Sequence, residues 1–248
     1  AEDAARVEDA EGAELLRWFA ADKLTLLGHE HWYPDRTDEH RLGLCRHALN
    51  VPILAENTRQ RALDWFRDGG MAPLLLKSNC LSTVHRRVPL DLVIVPLREG
   101  DRIVGLSLHA GLWTSAALHS PPDQVPVLRQ RLGLLADEFR FDPRGHTGKA
   151  LAHTLASLPH DVVIAFDRDA IERVALTAMS ISDRPRTKLV LTRSPLGRHL
   201  FAFVWMPRDE VSTVRRTTIG DLLAEAANAS VLTWSIALED GRVGLIRY

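Results

Sequence analysis

Apolar positions along this 248-residue chain fall into short blocks with two different spacings. Ala13 to Ala21 sets Leu15, Leu16 and Phe19 on one side, which predicts a short helix. Leu24 to Trp32 reads as a strand that runs into the polar stretch Tyr33 to Arg41. Asn57 is placed to cap a second helix with the stripe Ala62, Leu63, Trp65 and Phe66, and Gly69-Gly70 stops it. A strand-rich block follows. Pro73 to Lys77 is apolar, Thr83 to Val88 alternates, and Leu90 to Leu97 is an almost unbroken Leu, Val and Ile run. Glu99-Gly100-Asp101-Arg102 supplies turn chemistry, after which Ile103 to Thr114 returns. The pattern predicts an antiparallel meander and, with the helices before it, an α+β domain over residues 13–118.

Ser120-Pro121-Pro122 breaks the strand pattern. Beyond it Leu128, Leu132, Leu135 and Phe139 recur at helical spacing, and Gly145 to Leu158 predicts another helix, so residues 119–159 read as a helical connector. The last third, 160–248, is more regular. His160 to Phe166 reads as a strand, and Asp169 with Glu172 fits a capping box for a helix through Ile171, Val174, Ala175 and Met179. Lys188 to Thr192 and His199 to Met206 read as strands joined through Pro195-Leu196-Gly197. Asp209 would cap a helix carrying Val214, Leu222, Leu223 and Ala226. Ser230 to Leu238 and Arg242 to Tyr248 form a final hairpin turning at Asp240-Gly241. The order β-α-β-β-α-β predicts a ferredoxin-like sandwich, two helices on one face of an antiparallel sheet, the order that ACT domains also use.

Composition narrows the function classes. Hydrophobic residues make up 46% and charged residues 25%, so the chain can bury a core. A formal net charge of -1 gives no global attraction to nucleic acid or an anionic membrane. No apolar run approaches the roughly 20 residues that span a bilayer, and the acidic, alanine-rich start is no signal peptide. These features point to the cytoplasm. Cys45 and Cys80 show no C-x-x-C spacing; two free thiols are the plain reading and one disulfide the alternative. The start at Ala1, without a methionine, fits an excised piece of a longer chain, although methionine removal would look the same.

No motif assembles a catalytic centre. Gly145-His146-Thr147-Gly148-Lys149-Ala150 is too short between its glycines for a phosphate loop and lacks the Ser or Thr after lysine, so a helix-linking turn is expected. There is no G-x-G-x-x-G for a dinucleotide and no G-x-S-x-G to support a Ser82-His85-Asp91 triad. His29-Glu30-His31, with Asp35, Asp38, His40 and His47 nearby, puts two imidazoles on one face, but a polar strand end is expected rather than a metal centre. Arg184, Arg186, Arg193 and Arg198 around Lys188 read as a charged, solvated sheet edge. The most distinctive stretch is Lys77 to Arg86. There Asn79, Ser82, Thr83, His85 and Arg86 could line a pocket for an anion or amino acid, or could form only a structural turn.

Several segments, taken in order, resemble the large NAD-specific glutamate dehydrogenases. They are Leu15-Leu16-Arg17-Trp18-Phe19 with Leu24 to Gly28; Lys77-Ser78-Asn79 with Ser82 to Arg86 and Leu90-Asp91; Gly111 to Ala117; Phe141-Asp142-Pro143 with His146 and Gly148 to Leu151; Arg184-Pro185-Arg186; Pro195 to Arg198; and Val204 to Asp209. The sequence departs from that family at His29, His31, Trp32 and Leu81, in Leu158-Pro159-His160 and in Val162 to Phe166.

The resemblance implies a piece of the N-terminal region of such an enzyme, upstream of its catalytic part, built from PAS-like and ACT-like modules that serve regulation and assembly. The parent reaction would be oxidation of L-glutamate by NAD to 2-oxoglutarate and ammonia. The catalytic lysines and the NAD site would lie outside this segment, which is expected to carry no catalytic, cofactor or metal residues of its own. Its expected partners are the remainder of its own chain, further copies of itself, and an amino-acid effector. An assembly module without a ligand is the alternative.

Overall fold

A computed structural model describes every residue except 1, 37–39, 47–51, 85, 182–183 and 239–241. It divides into two compact units, residues 1–140 with 156–165, and residues 141–155 with 166–248. Each is α+β, and each is built on an antiparallel sheet.

The first unit opens with helices α1 (Glu2–Ala5) and α2 (Ala10–Trp18). Asp9 caps α2, its carboxylate accepting the Gly12 N–H at 2.6 Å. A turn through Asp22, at φ 61°, leads into β1 (Leu24–Trp32) and then β2 (Arg41–Gly43). Helix α3 (Glu56–Arg67) precedes β3 (Leu74–Leu81), β4 (Pro89–Glu99) and β5 (Arg102–Trp113). The sheet order is β2-β1-β5-β4-β3. Glu99 pairs with Arg102, so the β4–β5 hairpin turns on Gly100-Asp101 with Gly100 at φ +59°, a conformation that suits glycine.

The register sorts the side chains of this sheet onto two faces. Leu76, Leu92, Ile94, Leu106 and Leu108 lie on the side where α3 buries Ala62, Leu63 and Phe66. On that side Arg59 of α3 reaches the buried Glu30 of β1 at 2.5 Å. On the other face Val95 packs with Val7 and Ala13, and Trp113 packs edge-on against Trp18 and Phe19 with centroids 5.4 and 5.2 Å away. The unit continues through α4 (Ser115–Leu118) and α5 (Leu128–Glu138). Glu11 accepts from the Val127 N–H at 2.8 Å and from Arg129, which ties the start of α5 to α2.

Helix α6 (His146–Ser157) leads to α7 (His160–Val163), which belongs to the first unit, and α8 (Arg168–Ile181), which belongs to the second. The second unit continues with β6 (Lys188–Arg193), β7 (Leu200–Pro207), α9 (Thr213–Ala227), β8 (Ser235–Leu238) and β9 (Val243–Arg247). Its sheet order is β6-β7-β9-β8. Val204, Met206 and Ile246 pack against Ile219 and Leu223 of α9. On the opposite face Phe166 approaches Phe201 and Phe203 at 5.3 and 6.0 Å between centroids.

Several local expectations are corrected. Residues 160–166 form no strand: Pro159 and Asp161 open a helical turn, and Val163, Ile164 and Phe166 are buried without sheet pairing. The β-α-β-β-α-β order is therefore not realised in sequence. The place beside β7 is taken by β9, and α9 and Phe166 cover opposite faces of the sheet rather than one. The alternating segment at 83–88 is not a strand among its described residues, because Ser82 turns the chain on itself, bonding both the N–H and the carbonyl of Val84. The cap of α3 is Ala55, not Asn57; that of α8 is Asp167, not Asp169; that of α9 is Ser212, not Asp209. The expected strand from Ser230 begins only at Ser235. The Asp240-Gly241 turn lies outside the described residues.

Candidate functional site

The sequence-derived pocket residues sit near the end of β3, which holds Asn79, and on the stretch that joins it to β4. Asn79 and Thr83 are exposed, and His85 lies outside the described residues. Ser82 is buried, its hydroxyl donating to the Val84 carbonyl at 2.7 Å and accepting the Val84 N–H at 3.1 Å. Arg86 donates to the Trp113 carbonyl at 2.6 Å, which anchors the turn to the end of β5.

Beneath this turn lies a charged group that sequence reasoning missed. Lys77 of β3 donates to Asp91 of β4 and to Asp161 of α7, both at 2.5 Å. Lys77 and Asp91 are paired in register, so the sheet sets their side chains on one face. Burial pushes Asp91 up to about 6; Lys77 pulls against this and the Asp161 carboxylate adds to it. The Lys77 ammonium is held well above its ordinary value: burial opposes the charge, and the two carboxylates outweigh burial. One cation between two carboxylates leaves a net negative charge in a buried place, and it ties the 156–165 segment to the sheet. The available signal was that Lys77 and Asp91 both fall within the family-like segments; nothing in the spacing announced Asp161.

On the same sheet face, farther along, four imidazoles form a continuous row. His109 stacks on His29 at 4.6 Å between centroids, His29 meets His31 edge-on at 4.9 Å, and His31 stacks on His40 at 5.6 Å. Cross-strand pairing of His29 with His109 produces this arrangement. His109 donates to the Asp3 carboxylate at 2.6 Å, as does Ser107 at 2.8 Å. Burial would raise Asp3, but these hydrogen bonds and the nearby positive charge hold its carboxyl well below the usual range. His29 is lowered from 6.5, first by burial and then by the fields of His109 and His31. Among the described residues no group of three or more His, Cys, Asp or Glu side chains is disposed to hold a metal ion. Asp38 and His47, noted near the His29-Glu30-His31 run, lie outside the described residues.

The lowered His29 value has a sign. The folded state resists protonation that the unfolded chain accepts, so stability is full above 6.5 and falls as pH drops through the folded value. Urea midpoints at pH 7.5 and 5.5 should show a smaller acid loss in His29→Gln than in the wild type. Equal losses would mean that His29 does not carry the effect.

Burial pushes the Cys45 thiol up to about 12, and Glu30 adds to this. Neither cysteine is in a disulfide. Thiolate is the reactive form, so iodoacetamide at pH 8 should label Cys45 more than about a hundredfold slower than a free thiol. Mass spectrometry over time checks this, and labelling at the free-thiol rate would contradict it. The glycine-rich segment at 145–150 is a turn opening α6: Gly145 N–H donates to the Asp142 carbonyl at 2.9 Å, and a Cβ on Gly148 would come within 2.2 Å of that oxygen. Gly148 is there for close backbone approach. No helix among the described residues is long and apolar enough to cross a membrane.

A family model described as glutamate dehydrogenase, helical motif 1, matches residues 125–184, the stretch that holds α5 to α8. The chain is 27% identical to the NAD-specific glutamate dehydrogenase of Halomonas elongata over 96% of its own length and 15% of that protein's. It is 28% identical to the enzyme of the same name from Pseudomonas aeruginosa, over 87% of the chain and 14% of that protein. The Mycobacterium tuberculosis protein of that name is 21% identical over 95% of the chain and 14% of its own length. The chain thus corresponds to about one seventh of the curated relatives it matches, and the family recognised from its motifs is the family it aligns with along nearly its whole length.

Proposed function

We propose that this chain, a segment with the sequence character of NAD-specific glutamate dehydrogenases, is an N-terminal regulatory part of such an enzyme that senses a small amino-acid-like effector and performs no chemistry itself. The observation that carries the reading is the alignment of nearly the whole chain with about one seventh of those enzymes, in a stretch without a dinucleotide fingerprint. The parent enzyme would oxidise L-glutamate with NAD in the cytoplasm, and the remainder of the parent chain would be this segment's partner.

The two sheets support a sensory role. The five-stranded antiparallel sheet of order β2-β1-β5-β4-β3 supports the PAS-like reading of the first unit. In the second unit β7 and β8 run parallel on either side of β9 and are joined through α9. This arrangement supports the ACT-like reading, with β9 in the place expected for a strand at 160–166. On the first unit, Asn79, Ser82, Thr83, His85 and Arg86 are the proposed effector contacts. A thermal-shift panel of amino acids and nucleotides at millimolar concentration tests the reading. A ligand at a hundred times its Kd adds about 2.7 kcal/mol. Stabilisation by at least one amino acid is the expected result; a flat panel would sink effector sensing.

A second reading, assembly into a homo-oligomer without a ligand, is favoured by one observation. Leu189, Leu191, Leu200, Ile236 and Leu238 are exposed on the sheet face that carries Val204 and Ile246. Sedimentation at high concentration decides it: association supports it, and a clean monomer removes it.

A further inference from the structure

Among the described residues the large exposed apolar side chains gather in the second unit: ten of fifteen lie between residues 189 and 238. One set of them lies on the sheet. Leu189, Leu191 and Arg193 of β6 pair with Val204, Ala202 and Leu200 of β7, so all six point to the side that carries α9. Helix α9 rests on Val204, Met206 and Ile246 and leaves the β6 flank bare: Leu189, Leu191 and Leu200 are 50, 44 and 40% exposed.

A second set lies on α9 itself. Ile219 and Leu223 face the sheet, yet Val214 and Leu222 are 75 and 60% exposed. With the exposed Thr218 and Ala226 they recur every four residues and form a second stripe, directed away from the sheet. A helix that is apolar on more than one side is suited to burial between two layers. Neighbouring strands lie about 4.8 Å apart, so β6 is roughly 7 Å from the line midway between β7 and β9. A helix packed at the usual ~8–10 Å from α9 would therefore rest on β6. The same chain carries a helix stripe without a sheet and a sheet flank with room for a helix. Their charges match: Arg193 is exposed on the flank, and Asp221 and Glu225 are exposed on the outer side of α9.

We propose that a second copy of the chain covers this flank. Helix α9 of each copy lays its Val214 and Leu222 stripe on Leu189, Leu191 and Leu200 of the other, and Arg193 of one copy meets Asp221 and Glu225 of the other. Two helices side by side then fill one layer between two sheets. The two-fold axis between them makes both contacts equivalent and closes the assembly as a dimer. The proposal rests on the assembly reading above and adds the element of the partner copy that covers the sheet; it is independent of effector sensing.

Sedimentation equilibrium of the chain over a wide concentration range is the test. The wild type should form a dimer and nothing larger. Leu222→Asp should raise the dimer dissociation constant at least tenfold, and Leu134→Asp, at an exposed apolar position of the first unit, should leave it unchanged. Arg193→Glu should weaken the dimer, and adding Asp221→Lys and Glu225→Lys to it should restore the dimer. The replaced side chains are all exposed, and circular dichroism and melting temperature verify that each variant is folded. A dimer indifferent to Leu222→Asp overturns this interface while assembly through another surface stands. Charge reversal without recovery overturns the pairing of α9 with β6. A wild-type monomer overturns both the interface and the assembly reading, and leaves the flank to the remainder of the parent chain.

Discussion

Replacing Lys77 by Met should lower the stability of the first unit by about 3–5 kcal/mol, the usual consequence of stranding buried charge. Lys77 is the cation between Asp91 and Asp161. Without it two carboxylates face each other in a place that solvates neither well, with the Trp113 N–H to Asp91 as remaining compensation. Well-packed apolar groups often replace a buried ion cluster with little loss. Lys77→Met combined with Asp91→Leu and Asp161→Leu should therefore recover most of the stability. Urea unfolding of the two variants checks both halves. A single-variant loss below about 1 kcal/mol would show that the charges are solvated and that the cluster is no latch.

The same cluster has a pH signature. A carboxyl raised in the folded state from 3.8 to about 6 stabilises the fold below its unfolded value, and that contribution is lost as pH rises through about 6. His29 acts in the opposite direction over an overlapping window. The wild-type curve mixes the two, so the separate variants are what resolve them: Asp91→Asn should remove the loss on raising pH, while His29→Gln should remove part of the loss on lowering it.

The second large effect is in the core of the second unit. Phe203 is 1% exposed, stacked on Trp205 at 5.9 Å and edge-on to Phe166 at 6.0 Å. Phe203→Ala removes that packing and leaves a cavity in a sheet centre, a change that costs about 3–5 kcal/mol. Hydrogen exchange of the β6, β7 and β9 amides should accelerate accordingly. A loss under about 1 kcal/mol would mean that the site collapses around the smaller side chain or that Phe203 is not central.

Strong local patterns in the sequence carried over into the fold. The apolar run Leu90 to Leu97 lies within β4, and the Gly100-Asp101 turn closes the hairpin. The alternation at Thr83 to Val88 misled because period two is shared by strands and by turns held by their own side chains. Here the Ser82 hydroxyl bonds Val84 and outcompetes a ladder. The apolar run at 160–166 is too short for periodicity to separate strand from helix, and it became a helical turn behind Pro159. That β9 occupies the interior of the second sheet follows from long-range pairing that no window of sequence contains.

The candidate sites were less legible. Asn79 to Arg86 stood out by composition, yet Ser82 and Arg86 make their bonds within the fold. Lys77, Asp91 and Asp161 were brought together by register and by a helix 84 positions away in the chain.

The proposal to be tested is that this segment informs catalysis elsewhere and performs none. The most direct measurement is NADH formation by the isolated, folded chain given L-glutamate and NAD, followed by absorbance with the chain at high micromolar concentration. The account predicts no turnover above the buffer blank. Glutamate-dependent NADH formation that co-purifies with the chain would contradict it.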